Sequence, residues 1–266
     1  MDDAYALGAP QIAAFRRDGH VTLRGLASAD EVARVRPAVL AVVDRVARAG
    51  DTQGRVDDYG ALFTQVTNAW RLDETVRAFV FARRFARASA ELMGVSGVRL
   101  YHDQALVKEP GGRPTPWHQD QYYWPLDTGH TVTLWMPLVD CGEDMGPMVF
   151  ASGSHRMEGW EPRPISEDTS ARLAEEIRRR GLATGGGRAL FAGDATFHPG
   201  RTVHSAGPNE SGVRREVMTV IYHADGARVL EPANEHQRAD RDAFLPGLRA
   251  GDAAASPQNP LLYRAD

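Results

Sequence analysis

The stretch VRLYHDQALVKE (residues 98–109) is the first of several short apolar or alternating segments in the chain. The others are separated by turns that contain glycine or proline, and they are TVTLWMPLVD (131–140), GPMVFAS (146–152), RALFAGDATFH (188–198) and EVMTVIYH (216–223). Regularly spaced short strands are typical of a β-sandwich or barrel and not of a parallel sheet with crossover helices. The pattern therefore predicts an antiparallel β core over about residues 96–230.

Helical patterns flank this core. Apolar periodicity, possible N-caps and a terminal glycine predict helices over 10–17, 28–50, 73–94 and 170–181, and alternation predicts a strand over 19–26. The tail GLRAGDAAASPQNPLLY (247–263) is interpreted as an irregular cover. We therefore predict one domain over residues 1–266, mainly β with flanking helices: a helical part (about 1–95), the β core (about 96–230) and the cover (231–266).

Composition narrows the class of protein. The chain has 266 residues, a net charge of −4, and 42% hydrophobic and 25% charged residues. This gives no electrostatic reason to expect nucleic acid or an anionic membrane as a partner. A single cysteine, Cys141, excludes an internal disulfide, and neither a signal peptide nor an apolar stretch of membrane-spanning length is visible. We predict a cytoplasmic protein, leave its oligomeric state open, and interpret Lys108, the only lysine, as a solvated loop charge.

A second stretch, TPWHQDQYYWP (115–125), places a histidine and an aspartate two positions apart. In extended backbone the side chains of His118 and Asp120 point the same way. They could form two corners of a facial triad of two histidines and one carboxylate, a site that suits a redox-active iron. The triplet alone is weak evidence for a metal site, because the same residues could be ordinary polar positions in a strand whose tryptophans pack in the core.

The segment FHPGRTVH (197–204) offers two candidates for the third corner, His198 and His204. Arg215 follows His204 by eleven residues, across a run of turn-forming residues, whereas the same spacing from His198 gives Asn209. A buried arginine could bind the far carboxylate of a dicarboxylate co-substrate in a bidentate manner. By strand alternation, Arg215 is predicted to face inward and Arg214 outward. Individually, each histidine could cap a turn and the arginine could lie on a solvated edge.

Five stretches together resemble the phytanoyl-CoA dioxygenase family of iron(II)- and 2-oxoglutarate-dependent oxygenases. They are FRRDGHVTLRGLASADEV (15–32), WHQDQYYWPLD (117–127), LWMPLVDCGEDMGPMVFASGSH (134–155), GDATFHPGRTVHSAGPNESGVRRE (193–216) and NPLLY (259–263). The resemblance implies a double-stranded β-helix (jelly-roll, cupin-like) core. It further implies that His118, Asp120 and His204 bind Fe(II), that Arg215 binds the distal carboxylate of 2-oxoglutarate, and that Trp135 and Gln104 line the co-substrate.

The activity implied is oxidation of an unactivated C–H bond of a small molecule with O2 and 2-oxoglutarate. We expect a tailoring step on a secondary metabolite, as in antibiotic biosynthesis, whose outcome could be hydroxylation, ring closure, epimerisation or desaturation. The candidate substrate residues are Tyr122, Tyr123, Trp124, Trp117 and Asn68. Two other classes stay open: a cupin-like metal enzyme that does not use 2-oxoglutarate, and a catalytically silent binding protein on the same fold.

Overall fold

The computed structural model describes residues 1, 3–49, 62–160 and 163–265. The α-helices in these ranges are α1 (Ala9–Asp18), α2 (Ala29–Ala49), α3 (Glu74–Val80), α4 (Arg83–Met93), α5 (Glu167–Arg179) and α6 (Glu235–Phe244). The strands are β1 (Val21–Leu23), β2 (Phe63–Thr67), β3 (Gly97–Lys108), β4 (Thr115–His118), β5 (Thr131–Pro137), β6 (Met148–Ala151), β7 (Thr184–Gly186), β8 (Ala195–Pro199), β9 (His204–Ala206), β10 (Arg215–Ala224) and β11 (Leu261–Arg264). Across these ranges, no helix combines the length and apolar character needed to cross a bilayer.

The strands form two antiparallel sheets. The large sheet has the order β1-β8-β5-β10-β3-β11, with β2 also paired to β3, and the small sheet has the order β4-β9-β6-β7. Neighbours in space are rarely neighbours along the chain, so the polypeptide passes repeatedly from one sheet to the other. This is the jelly-roll arrangement, and the predicted fold class is confirmed.

The large sheet buries its two faces against different partners, because side chains alternate along each strand. One face packs on the helices through apolar residues such as Leu134, Val220 and Tyr222, which belong to the main hydrophobic core. The opposite face carries Gln104, Trp135 and Thr219, and these residues line a cavity instead. The alternation therefore separates a stabilising face from a face that can bind a ligand.

The segment predicted as one helix over 73–94 is two helices, α3 and α4, and that prediction was wrong. Asp73 caps α3 by accepting from the backbone N–H groups of Thr75 and Val76. The break at Phe81–Ala82 follows a run of β-branched and aromatic residues, which favour helix less than alanine or leucine do. It allows Phe79 to pack edge-on against Phe85, with ring centroids 5.1 Å apart.

Both ends of the chain contribute to the β core. Strand β1, predicted from alternation, pairs with β8, and β2 pairs with β3 from within the part predicted as helical. Strand β11, in the predicted cover, pairs with the start of β3. These are short edge strands, and short runs carry little periodic signal in the sequence. The predicted boundaries of the β core, at about residues 95 and 230, therefore stay a prediction. Strands β1, β2 and β11 lie outside those boundaries and pair with the core.

Candidate metal centre and cavity

The small sheet brings together the residues predicted to bind metal. His118 on β4 is the direct cross-strand partner of His204 on β9, and their ring centroids are 4.1 Å apart. Asp120 begins a short 3₁₀ turn immediately after β4, but the extended backbone of Gln119 keeps its carboxylate on the same side as His118. One ligand atom from each of His118, Asp120 and His204 lies within 4.8 Å of the other two.

Hydrogen bonds to the backbone orient both imidazoles. Nδ1 of His118 lies 2.8 Å from the carbonyl oxygen of Pro116, and Nδ1 of His204 lies 2.9 Å from that of Thr202. A carbonyl only accepts, so each Nδ1 carries a proton, and Nε2 is the atom that offers a lone pair when the imidazole is neutral. The two Nε2 atoms lie 3.5 Å and 3.6 Å from Oδ1 of Asp120. The geometry thus points two lone pairs and one carboxylate oxygen at a common point.

The protonation states suit a metal ion. Burial alone would raise the pKa of Asp120, but the neighbouring imidazoles of His204, His118 and His198 hold that pKa well below its usual range. Burial, together with the neighbouring imidazoles, holds the pKa of His204 well below its usual value. A carboxylate and neutral imidazoles are the forms that ligate metals. Two histidines and one carboxylate fit iron(II) with open coordination positions.

Arg215 points inward, as predicted, and its side chain is only 1% exposed. It donates to the carbonyl oxygen of Gly146, while its Nε has no hydrogen-bond partner among the described residues. Burial lowers its pKa to about 10, so the guanidinium remains charged at neutral pH. Arg214 lies on the opposite face, 40% exposed, and pairs with Glu109 at 2.7 Å. A buried cation with a spare donor is a ready partner for a carboxylate.

The interpretation of Lys108 as a solvated loop charge was wrong. Lys108 ends β3 as the cross-strand partner of Arg215, and it is only 1% exposed. Its Nζ donates to the carbonyl oxygen of Gly207 at 2.9 Å, and it lies 5.7 Å from the centre of the Phe63 ring. Burial, with a smaller contribution from Arg215, lowers its pKa to about 7. Local spacing could not indicate this burial, because β2 covers the end of β3 only in the folded chain.

A cavity of about 480 Å³ connects these residues. His118, Asp120, His204, Arg215, Trp135 and Gln104 all contribute to its lining. Trp135 is 2% exposed, and Gln104 accepts from the Thr219 hydroxyl at 3.4 Å. The structure therefore places the predicted metal and co-substrate residues around one space.

The candidate substrate residues divide into two groups. Tyr123 and Trp124 line the cavity, whereas Tyr122, Trp117 and Asn68 are not part of its lining. Tyr122 packs edge-on against Tyr123, with ring centroids 4.9 Å apart, and Trp117 packs in the cluster that contains Leu173. Asn68 adopts a left-handed backbone conformation, with φ of 52°, at the start of a 3₁₀ turn.

Several cavity residues were not predicted from the sequence. Thr133 on β5 donates to Asp120, and the α6 residues His236, Asp240 and Phe244 close the cavity from the C-terminal side. Strand alternation from Trp135 could have indicated Thr133, since the two share a face. Nothing in the periodicity of α6 could have indicated which part of the fold it covers.

The comparisons with known proteins agree with this geometry. Residues 15–217 match the phytanoyl-CoA dioxygenase (PhyH) family. The ectoine dioxygenase of Bordetella bronchiseptica is 28% identical over 91% of this chain and 85% of its own. The probable alpha-ketoglutarate-dependent hypophosphite dioxygenase of Stutzerimonas stutzeri is 25% identical over 79% of this chain and 76% of its own.

Two solved structures from nogalamycin biosynthesis are similar over nearly the whole chain. The non-haem alpha-ketoglutarate-dependent epimerase SnoN has a TM-score of 0.78 at 27% identity, covering 97% of this chain and 96% of its own. The corresponding carbocyclase SnoK has a TM-score of 0.79 at 26% identity, covering 96% of each. SnoN has also been crystallised with Fe3+, alpha-ketoglutarate and nogalamycin RO. With its jelly-roll core, its His–Asp–His triad and these matches, the chain belongs to the phytanoyl-CoA dioxygenase family of iron(II)- and 2-oxoglutarate-dependent oxygenases.

Proposed function

We propose that this dioxygenase oxidises an unactivated C–H bond of a small molecule, in a tailoring step of secondary metabolism. One observation carries the proposal: a single cavity is lined both by the His118–Asp120–His204 triad and by a buried arginine with a spare donor. A metal site needs no such arginine, whereas a keto-diacid bound beside the metal does, because its far carboxylate must be neutralised away from water.

Each residue has a defined task in this proposal. His118, Asp120 and His204 would hold iron(II). When bound together with 2-oxoglutarate, this ion would supply the activation of O2, with 2-oxoglutarate oxidatively decarboxylated to succinate and CO2. Arg215 binds the distal carboxylate of 2-oxoglutarate. Trp135 lies against the Arg215 guanidinium and borders the co-substrate, and Gln104 contributes a polar wall.

The remaining walls position the substrate and exclude water. Trp124, Ile221 and Phe244 give the cavity an apolar lining, and α6 covers it. Holding the reacting C–H group next to the metal in a dry site accounts for much of what such a protein contributes to rate. A cavity of about 480 Å³ lies within the range of small-molecule sites.

The relatives support a small, ring-containing substrate. SnoN and SnoK act in nogalamycin biosynthesis, and the ectoine dioxygenases are named for another small molecule. The aromatic side chains of Tyr123, Trp124 and Phe244 offer flat apolar surfaces that suit a ring system. Since one relative is an epimerase and the other a carbocyclase, hydroxylation, epimerisation, ring closure and desaturation all remain outcomes for the assay to separate.

The buried free thiol of Cys141 is consistent with the predicted cytoplasmic location.

The test is turnover by the reconstituted protein. Iron(II) is added under anaerobic conditions, followed by 2-oxoglutarate and air, and succinate is measured with and without nogalamycin RO, ectoine and a panel of other ring-containing small molecules. We expect slow succinate release alone and faster release with a substrate, whose product is then identified by mass and by NMR. No succinate above a chelated control, together with no 2-oxoglutarate binding, would contradict the proposal. Unchanged substrate oxidation by Arg215→Ala would instead indicate a metal enzyme that does not use 2-oxoglutarate.

A further inference from the structure

The two carboxylate oxygens of Asp120 lie in different surroundings. Oδ1 faces the Nε2 atoms of His118 and His204, at 3.5 Å and 3.6 Å. Oδ2 accepts from the hydroxyl of Thr133 at 3.1 Å, and Nε2 of His198 lies 3.4 Å from it. One oxygen is thus directed towards the candidate metal position, and the other is turned towards protein donors.

Thr133 and His198 reach Oδ2 from one place in the fold. They are direct cross-strand partners on β5 and β8, in the large sheet, whereas the triad histidines lie on the small sheet. The pair therefore holds Asp120 from the opposite side of the jelly roll. We name Thr133 and His198 the Oδ2 clamp.

The environment of His198 indicates that its role is to contact Oδ2 of Asp120. The side chain is 1% exposed, between Phe150, 5.3 Å away, and His204, 4.3 Å away between ring centroids. Neither of its ring nitrogens makes a well-aligned hydrogen bond within the described residues. Burying an imidazole without partners costs free energy, and an apolar side chain would fill the same space without that cost. At 3.4 Å the contact to Oδ2 is long, as functional hydrogen bonds often are in enzyme structures without bound substrate.

We infer that the Oδ2 clamp keeps the second carboxylate oxygen away from the metal, so that Asp120 binds through Oδ1 alone. A carboxylate that binds through both oxygens occupies one more coordination position, at the expense of the co-substrate or O2. His198 and Thr133 are therefore positioning residues that act through Asp120. The inference rests on the proposed function only for the presence of a metal at the triad.

Titration with cobalt(II) tests the inference without 2-oxoglutarate or turnover. The variants are His198→Leu, which fills the space without a donor, His198→Gln, whose amide can place a donor near the original Nε2, and Thr133→Val. Thr196→Val is the matched control, since Thr196 is a buried polar residue on the same face of β8 as His198, has no hydrogen-bond partner among the described residues, and does not line the cavity.

We expect His198→Leu to bind cobalt(II) about tenfold more weakly, the lower end of the effect of residues that orient metal ligands. Its cobalt d–d bands should also change in position and molar absorbance, because a second carboxylate oxygen changes the set of ligands around the metal. His198→Gln should restore most of both properties, Thr133→Val should show a partial effect, and Thr196→Val should match wild type.

Two results would overturn the inference. An unchanged cobalt affinity and spectrum in His198→Leu would show that the clamp does not act on Asp120. A loss of binding in His198→Leu as complete as in His118→Ala would show that His198 is itself a ligand. If His198→Leu does not fold by circular dichroism, His198→Asn replaces it, because its shorter amide cannot reach Oδ2. Equal spectra for the Gln and Asn variants would then contradict the inference. Failure to bind 2-oxoglutarate would count against the proposed function and leave these outcomes unaffected.

Discussion

The guanidinium carbon of Arg215 lies 5.6 Å from the centre of the Trp135 indole, and the two residues are only 1% and 2% exposed. Trp135 and Arg215 lie on the neighbouring strands β5 and β10, which pair directly in the large sheet. Contact with an aromatic face stabilises a desolvated cation without using its hydrogen-bond donors. The tryptophan thus holds the arginine in place while its donors stay available for a carboxylate.

Replacing Arg215 with methionine should weaken 2-oxoglutarate binding by about 10- to 100-fold, the effect of losing a charged hydrogen-bonded pair. Calorimetry of the metal-loaded protein measures this directly. Arg214→Met is the control, since Arg214 is the adjacent arginine on the outer face, paired with Glu109. Similar losses in the two variants would show that the effect is one of general charge, and not of the buried guanidinium.

Replacing His204 with alanine should lower the affinity for iron(II) by more than about 100-fold, because losing a ligand exceeds the effect of losing a residue that orients one. The chelator-treated wild type should behave like this variant in the succinate assay and recover when iron(II) is restored. His130→Ala, at an exposed histidine, controls for nonspecific metal binding. A His204→Ala protein that kept wild-type affinity would remove His204 from the metal site.

Lys108 should make the stability of the metal-free protein depend on pH. Its pKa falls from 10.5 to about 7 on folding, so between these values the unfolded chain binds more protons than the folded one. The free energy of unfolding therefore gains a contribution that rises with pH across this window. Urea unfolding of wild type and Lys108→Met should show a difference in free energy that grows in favour of wild type as the pH rises. A difference independent of pH would show that Lys108 keeps an ordinary pKa in the folded protein.

Asn68 should matter through its backbone. Its φ of 52° lies in the left-handed region, which costs alanine about 1 kcal/mol more than glycine or asparagine. Asn68→Ala should lower the free energy of unfolding by about that amount, and Asn68→Gly should do so much less. The same variants test the predicted substrate role: if Asn68→Gly is as stable as wild type but binds substrate more weakly, the side chain itself reaches the substrate.

The parts of this protein that follow from local spacing were predictable. Alternation placed Arg215 inward and Arg214 outward, and the extended backbone at Gln119 set His118 and Asp120 on one side. The choice between His198 and His204 as the third metal ligand was harder to make from the sequence. In the structure both imidazoles lie beside Asp120. The spacing to Arg215 and the family resemblance favoured His204, and the geometry groups His204 with His118 and Asp120.

The parts that depend on contacts distant in sequence were not predictable. The burial of Lys108 requires β2 to cover the end of β3, and the position of α6 over the cavity requires the C-terminal tail to fold back on the core. Neither contact leaves a periodic trace in the residues concerned. The same holds for the pairing of Thr133 with His198, which depends on the register of two strands separated by about sixty residues.

The direct pairing of His118 with His204 joins two positions that are 86 residues apart in the sequence. An ion held between them is in effect a reversible cross-link that closes a long loop, and such a loop is costly to close in the unfolded chain. Because the unfolded chain presents no preformed site, ion binding adds to the resistance of the native state to unfolding. Loss of the ion should therefore loosen the small sheet first, so that protease cleavage near strands β4 and β9 reports how fully a preparation is loaded.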